Sequence, residues 1–216
     1  MITAMRIATA AVPPFLKNGF VVSCEETREA VLIDPGDEVE ELLEVIGRQQ
    51  LHVTAILLTH AHFDHITGVD RAKAALGVPI WLHPDDAPLY NAAPQQGQLF
   101  GLRVEQPPPV DHFYAPGESL TFGHYVVDVR HTPGHCPGGV CLAIGRAGST
   151  ERELFVGDTL FAGSIGRTDL PGGDLDTLLH AIRDVLFAYP DDTVVHPGHG
   201  PDTTIGDERR SNPFLA

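Results

Sequence analysis

His60, His62, Asp64 and His65 place three imidazoles and a carboxylate within six residues, in the run Thr59-His60-Ala61-His62-Phe63-Asp64-His65. Imidazole nitrogens and carboxylate oxygens are ligands for divalent cations, zinc, iron and manganese among them. At such density each side chain needs either its own hydrogen-bond partner or a shared cation, because unpartnered polar groups are costly to bury. The run directly follows the apolar stretch 53–58, which reads as a strand buried on both faces. The metal-capable residues therefore stand where a strand gives out, the usual place for a ligand in an α/β sheet.

Three further residues of the same kind occupy equivalent positions. His135, in Thr132-Pro133-Gly134-His135, follows a predicted strand at 125–130. Asp158, in Val156-Gly157-Asp158-Thr159, follows one at 154–156, and His199, in Pro197-Gly198-His199-Gly200, follows one at 193–195. Flanking Gly and Pro hold turns and let the backbone come close to a ligand. A lone His beside a turn is ordinary; four strand ends delivering such residues in one chain are not.

Periodicity outlines the elements that must position these groups. Strands are predicted at 5–12, 20–24 and 30–33, the last ending at Asp34-Pro35-Gly36. Asp37 and Glu40 have capping-box spacing ahead of a helix whose inner stripe is Val39, Leu42, Leu43 and Ile46 and which stops near Gly47. Glu38, Glu41 and Glu44 read as its solvated face. A helix at 68–76 closes on Gly77, and a short strand at 78–82 follows. Residues 83–109, rich in Pro, Gln and Gly, read as a partly helical insertion near a pocket, with His83 and Tyr90 as candidates to line it. Residues 140–144 form another strand. Asp174 caps a last long helix with Leu175, Leu178, Leu179, Ile182 and Leu186 inward. Two batches of strands, each followed by helices, predict two sheets packed face to face with helices outside, in a single domain spanning 1–216.

Composition narrows the function. Asp and Glu outnumber Lys and Arg 29 to 14, a net charge of -15, which argues against nucleic acid or an anionic membrane as partner. Three cysteines without a C-x-x-C pair fit a reducing compartment, and residues 1–15 read as a first strand in place of a secretory signal. The expectation is a cytoplasmic protein, a monomer or small homo-oligomer. Cys136 reads as a structural thiol, and His52, His112, His124, His131, His180 and His196 as surface or packing residues.

The sequence resembles the metallo-β-lactamase superfamily, whose His-x-His-x-Asp-His motif stands here as His60-Ala61-His62-Phe63-Asp64-His65. The family's later His, Asp and His match His135, Asp158 and His199, and the match runs from Asp34 to the C-terminus. The resemblance implies an α/β fold, a four-layer αββα sandwich with the site at one edge. It implies two divalent metal ions, zinc or alternatively iron or manganese. His60, His62 and His135 would hold the first, and Asp64, His65 and His199 the second. Asp158 would bridge. Two cations so placed share a water and lower its pKa toward neutrality. Asp64 and Asp158 are then the catalytic carboxylates, Asp64 orienting the hydroxide, while Asp34 supports ligands by hydrogen bonding without ligating.

Gly157-Asp158-Thr159-Leu160-Phe161, Gly166-Arg167-Thr168-Asp169-Leu170, His199-Gly200-Pro201 and Glu208-Arg209-Arg210-Ser211-Asn212-Pro213-Phe214 resemble the short glyoxalase II-like hydrolases. The implied substrate is a small-molecule thioester, S-D-lactoylglutathione or a related hydroxyacyl-glutathione. Arg167 matches a position where longer glyoxalase II enzymes place a Lys near glutathione, and it is the substrate-binding candidate; its alternative is a loop residue paired with Asp169. Longer glyoxalase II enzymes draw basic residues for glutathione from a C-terminal helical domain, whereas this sequence ends soon after His199, so the expectation extends to other small acyl thioesters. The rival reading is a persulfide dioxygenase, similar in its Gly-Arg-Thr-Asp stretch, with one iron on His60, His135 and Asp158. Phosphodiester hydrolysis fits the acidic charge poorly, a β-lactamase is disfavoured by the lack of a secretory signal, and a non-catalytic metal module predicts a missing ligand.

Overall fold

The computed structural model describes residues 5–215. Residues 1–4, part of the predicted leading segment, and Ala216 lie outside the described residues. Six strands form the first sheet: β1 (Met5–Ala10), β2 (Gly19–Cys24), β3 (Glu29–Ile33), β4 (His52–Leu57), β5 (Ile80–Leu82) and β6 (His112–Phe113), in that spatial order. β1 to β3 pair antiparallel, and β3 to β6 pair parallel. Helices α1 (Val39–Gln49), α2 (Phe63–Ile66), α3 (Val69–Leu76), α4 (Ala87–Asn91) and α5 (Ala93–Leu99) lie between these strands in sequence.

The second sheet contains β7 (Ser119–Phe122), β8 (Tyr125–His131), β9 (Val140–Arg146) and β10 (Glu153–Gly157). A small hairpin, β11 (Leu160–Phe161) and β12 (Ser164–Ile165), then leads to α6 (Leu175–Asp184), β13 (Val194–Pro197), β14 (Thr203–Thr204) and α7 (Ile205–Ser211). The spatial order is β14-β13-β10-β9-β8-β7. β9 runs antiparallel to both β8 and β10, and β10 is parallel to β13. β8, β10 and β13 therefore end at the same edge of the sheet.

Three buried clusters establish the layers. Phe20, Val22, Ile33 and Leu57 of the first sheet meet Val127, Leu142, Ile144 and Phe155 of the second. The outer face of the first sheet, with Val21, Leu32 and Ile56, packs on Val39, Leu42, Val69 and Ala72 of α1 and α3. The outer face of the second, with Cys141, Leu154 and Val195, packs on Leu178, Ile182 and Ile205 of α6 and α7. This is the expected αββα sandwich, and the double-sided burial explains the unbroken apolar runs in its parallel strands.

Several boundaries differ from expectation. Glu38 precedes α1 without capping it; it is buried beside Lys17, whose Nζ lies 2.6 Å from Glu38 Oε1. The need to neutralise a buried ammonium overrides the solvated-face reading of Glu38. α1 runs past Gly47 to a left-handed Gln50. α6 is capped as expected, Asp174 Oδ1 accepting from Thr177 N at 2.8 Å, but Leu175 faces outward and α6 is not last, since α7 follows. β6, β7, β11, β12 and β14 are too short for a clear period of two.

Candidate metal centre

Each ligand candidate lies just past a strand end at one edge of the sandwich: His60 to His65 after β4, His135 after β8, Asp158 after β10 and His199 after β13. Backbone bonds lock these loops together. Val140 N donates to Thr59 O at 2.8 Å, and Gly198 N donates to Gly157 O at 2.8 Å. Gly157 has a φ of +51°, and a Cβ there would lie 2.3 Å from Thr59 Oγ1. The loops meet where a side chain would not fit.

The side chains converge in two groups. One ligand atom from each of His60, His62 and His135 lies within 4.8 Å of the others, and the same holds for Asp64, His65 and His199. Asp158 faces both: its Oδ1 is 3.3 Å from His65 Nε2, and its Oδ2 is 3.7 Å from His135 Nε2 and 3.6 Å from His199 Nε2. His62 Nδ1 and His135 Nε2 are 2.8 Å apart, and His199 Nε2 is 3.2 Å from Asp64 Oδ2. Ligands about 2.1 Å from one tetrahedral ion are roughly 3.4 Å from each other, so this spacing suits shared cations.

Outer hydrogen bonds orient the rings. His135 Nδ1 donates to Arg167 O at 2.7 Å, leaving the Nε2 lone pair free to face the centre. Asp34 is buried and engaged through both oxygens: Oδ1 accepts from Thr59 N at 2.7 Å, and Oδ2 accepts from Thr59 Oγ1 at 2.5 Å and faces His65 Nδ1 at 3.0 Å. Thr59 Oγ1, having given its proton to Asp34, is 3.1 Å from His60 Nδ1 and can accept from it. Asp34, His60 and His65 also cluster closely enough to hold an ion, but these bonds occupy the Asp34 oxygens. What remains is diagnostic: His60 Nε2, His65 Nε2 and Asp158 Oδ1 are buried without a hydrogen-bond partner. Buried polar atoms in that state need an explanation, and a cation among them supplies it. The donor set fits divalent metal.

The electrostatics agree. Burial, then the neighbouring imidazoles, push the His60 pKa well below its ordinary value. Burial and His135 lower that of His62 to about 3. Burial would lower His65 too, but Asp158 and Asp64 outweigh it and raise the pKa to about 10. Asp158 itself moves far down despite burial, drawn by His65. His60 and His62 resist protonation, while the anionic carboxylates of Asp158 and Asp64 draw a proton onto His65, so the pocket favours positive charge at its centre.

A cleft of about 250 Å³ opens over the centre, lined by His62, Asp64, His135, Asp158 and His199 and walled by Phe15, Leu89, Leu99, Phe100, Leu170 and Pro171. Arg167 also lines it, with its guanidinium held bidentate by Asp169 at 2.7 Å for both contacts, the loop pairing given above as its alternative. A larger groove of about 530 Å³ contains none of the seven ligand candidates. His83 lines that groove, stacked on His131 at 4.1 Å, and so does not reach the centre. Tyr90 is buried with its hydroxyl donating to Pro108 O at 2.8 Å; it braces the insertion and lines neither the cleft nor that groove. Arg209 and Arg210 pair with Asp191 and Asp207 away from the cleft lining.

Four supporting residues escape a sequence reading. Asp86 is fully buried and accepts from Ala61 N at 2.8 Å, Gly138 N at 2.6 Å and Cys136 Sγ at 3.3 Å, tying the loop of His60 and His62 to that of His135. Cys136 is thereby a structural thiol, its pKa pushed well up by burial and by Asp86. Gln96 accepts from Phe63 N at 3.1 Å and donates to Ala61 O at 3.0 Å. Asn18 Nδ2 donates to Pro197 O at 3.0 Å and Gly200 O at 2.8 Å, and Lys17 bridges His199 through the backbone. Their partners lie up to 182 positions away, and no local pattern announces them.

Fold and site together define a metal-dependent hydrolase class. The metallo-beta-lactamase superfamily profile matches residues 12–199, and the chain belongs to that superfamily. Hydroxyacylglutathione hydrolase GloC of Haemophilus influenzae is 39% identical over 213 residues, 98% of either chain. Among solved structures, the B3 metallo-beta-lactamase BLEG-1 is 39% identical with a TM-score of 0.87, over 98% of this chain and 100% of that one. A protein crystallised in a di-iron-bound form is 43% identical with a TM-score of 0.84, over 96% of this chain and 100% of that one.

Proposed function

We propose that this protein is a binuclear metal-dependent hydrolase of small acyl thioesters, with S-D-lactoylglutathione or a related hydroxyacyl-glutathione as its reference substrate. The observation that carries the reading is Asp158 set between two three-residue ligand groups at the floor of an open cleft. His60, His62 and His135 would hold one cation, and Asp64, His65 and His199 the other, with Asp158 shared. When bound, two such cations supply Lewis acidity and hydroxide near neutral pH. The chain's own residues do the rest. Asp64, half-buried in the cleft wall, accepts a hydrogen bond from the attacking oxygen and aims it at the carbonyl carbon. Asp34 and the Arg167 carbonyl fix the tautomers of His65 and His135. Attack forms the C–O bond, and the C–S bond then breaks. A thiolate with a pKa of about 8.5 departs without a strong general acid.

The relation to GloC supports the thioester reading. A mononuclear iron centre on His60, His135 and Asp158 would leave the group of Asp64, His65 and His199 without a purpose. Likeness to BLEG-1 makes a β-lactam the second substrate to assay, since its carbonyl is open to the same attack. The test is hydrolysis of lactoylglutathione and other thioesters by protein loaded with zinc, iron or manganese, with His135→Ala as control. Thioester turnover by a protein holding two metal ions per chain is expected. One iron per chain with thiol-dependent oxygen uptake, or no turnover of any thioester, would overturn the proposal.

A further inference from the structure

The cleft is unexpectedly apolar for a site receiving a charged peptide carrier. Leu99 and Phe100 are 77% and 47% exposed, an unusual outlay of large hydrophobic surface unless a ligand covers it. Their wall is built, not incidental. Phe63, buried next to His62, meets Phe15 edge-on at 5.1 Å and Phe100 at 5.1 Å, so three rings form one surface running from the ligand cluster to solvent. Gln96 anchors α5 to the backbone of the ligand loop, which holds Leu99 and Phe100 over the centre.

Charge points the same way. Among the described residues lining the cleft, Arg167 is the single Lys or Arg, and Asp169 already neutralises it through two contacts of 2.7 Å. At about 250 Å³ the space is small beside the roughly 300–1,000 Å³ that encloses a drug-sized ligand. A tripeptide carrier would lie largely outside it.

We infer that the preferred substrate is a thioester bearing an unbranched apolar chain next to the reacting carbonyl, packed on Phe15, Leu99 and Phe100. This rests on the thioesterase reading and, within it, sets an apolar thioester above lactoylglutathione as the preferred substrate. The chain belongs either to the acyl group or to the thiol, and two substrate series separate these sources: acetyl to octanoyl esters of N-acetylcysteamine, and acetyl esters of ethane- to octanethiol. With metal-loaded protein, kcat/KM rises about threefold to fourfold for each methylene buried in one series, from about 0.8 kcal/mol per methylene. Phe100→Ala, at a half-exposed position where folding is little affected, flattens that series; Phe100→Leu, which keeps an apolar wall, retains most of the slope. Two flat series, a slope unchanged in Phe100→Ala, or lactoylglutathione preferred over the hexanoyl ester tenfold would overturn the inference while leaving thioester hydrolysis intact. Failure to cleave any thioester would instead bring down the underlying reading, and this inference with it.

Discussion

Asp34 shows how much of this site is carried by a residue that need not touch metal. It sits at a left-handed φ of +46°, buried, and its two oxygens organise Thr59, His65 and, through Thr59, His60. Loss of such an outer partner typically costs 10–100-fold in metal affinity or activity. Asp34→Ala is therefore expected to weaken metal binding by about that factor, read by competition with a chromogenic chelator; unchanged affinity would contradict the role. His196 gives a second prediction at this scale. Burial alone would lower its pKa, but Glu153, 2.8 Å from Nε2, and Asp202, 3.0 Å from Nδ1, raise it. A raised folded-state pKa gives stabilisation that is complete below the unfolded value, about 6.5, and is lost as pH climbs through the folded one. The gap in urea midpoint between wild type and His196→Gln should be widest below about pH 6.5 and narrow as pH rises above it, and a constant gap would show that the charge contributes nothing.

At the scale of elements, the insertion between β5 and β6 is a working part of the site. Asp86, just ahead of α4, clamps two ligand loops, and α5 supplies Gln96 and the apolar wall. Asp86→Ala strips the acceptor from two buried N–H groups, each costing about 1–3 kcal/mol when unpaired. A destabilisation of about 3 kcal/mol or more is expected in denaturant titrations, with weaker metal binding in the surviving folded protein. Gly157→Ala tests the meeting of strand ends. It combines a left-handed φ with a Cβ 2.3 Å from Thr59 Oγ1, so more than the roughly 1–2 kcal/mol penalty for that conformation should be lost.

Across the whole molecule, ligand candidates come from both sheets: β4 delivers four, and β8, β10 and β13 one each. Bound cations would therefore pin the two halves of the sandwich together, and metal would stabilise the fold by linkage. At about 1,000 times Kd the gain is about 4 kcal/mol, which in a chain of this size corresponds to roughly 8–16 °C in Tm. Calorimetry with and without a chelator checks this; an identical Tm in protein proven to lose its metal would contradict it. No helix among the described residues is long and apolar enough to cross a membrane.

The seven ligand candidates were legible in the linear chain because metal chemistry restricts residue type, and because each sits within two residues of Gly, Pro or another ligand just past a strand end. Long strands and α1, α3 and α6 were legible for a similar reason: burial on one face or both imposes a period or an apolar run. Lys17, Asn18, Asp86 and Gln96 were not, since a single buried hydrogen bond across many intervening residues leaves no periodic trace. The same limit hid the purpose of Phe15, Leu99 and Phe100, which look like scattered surface hydrophobics until the chain folds them beside His62. The sequence by itself determined which atoms could bind metal. The family resemblance already implied their division into two groups, with Asp34 in support; only the tertiary structure decided which distant groups clamp the ligand loops together and what kind of surface a substrate meets, because those properties arise from distances between strand ends that no local pattern encodes.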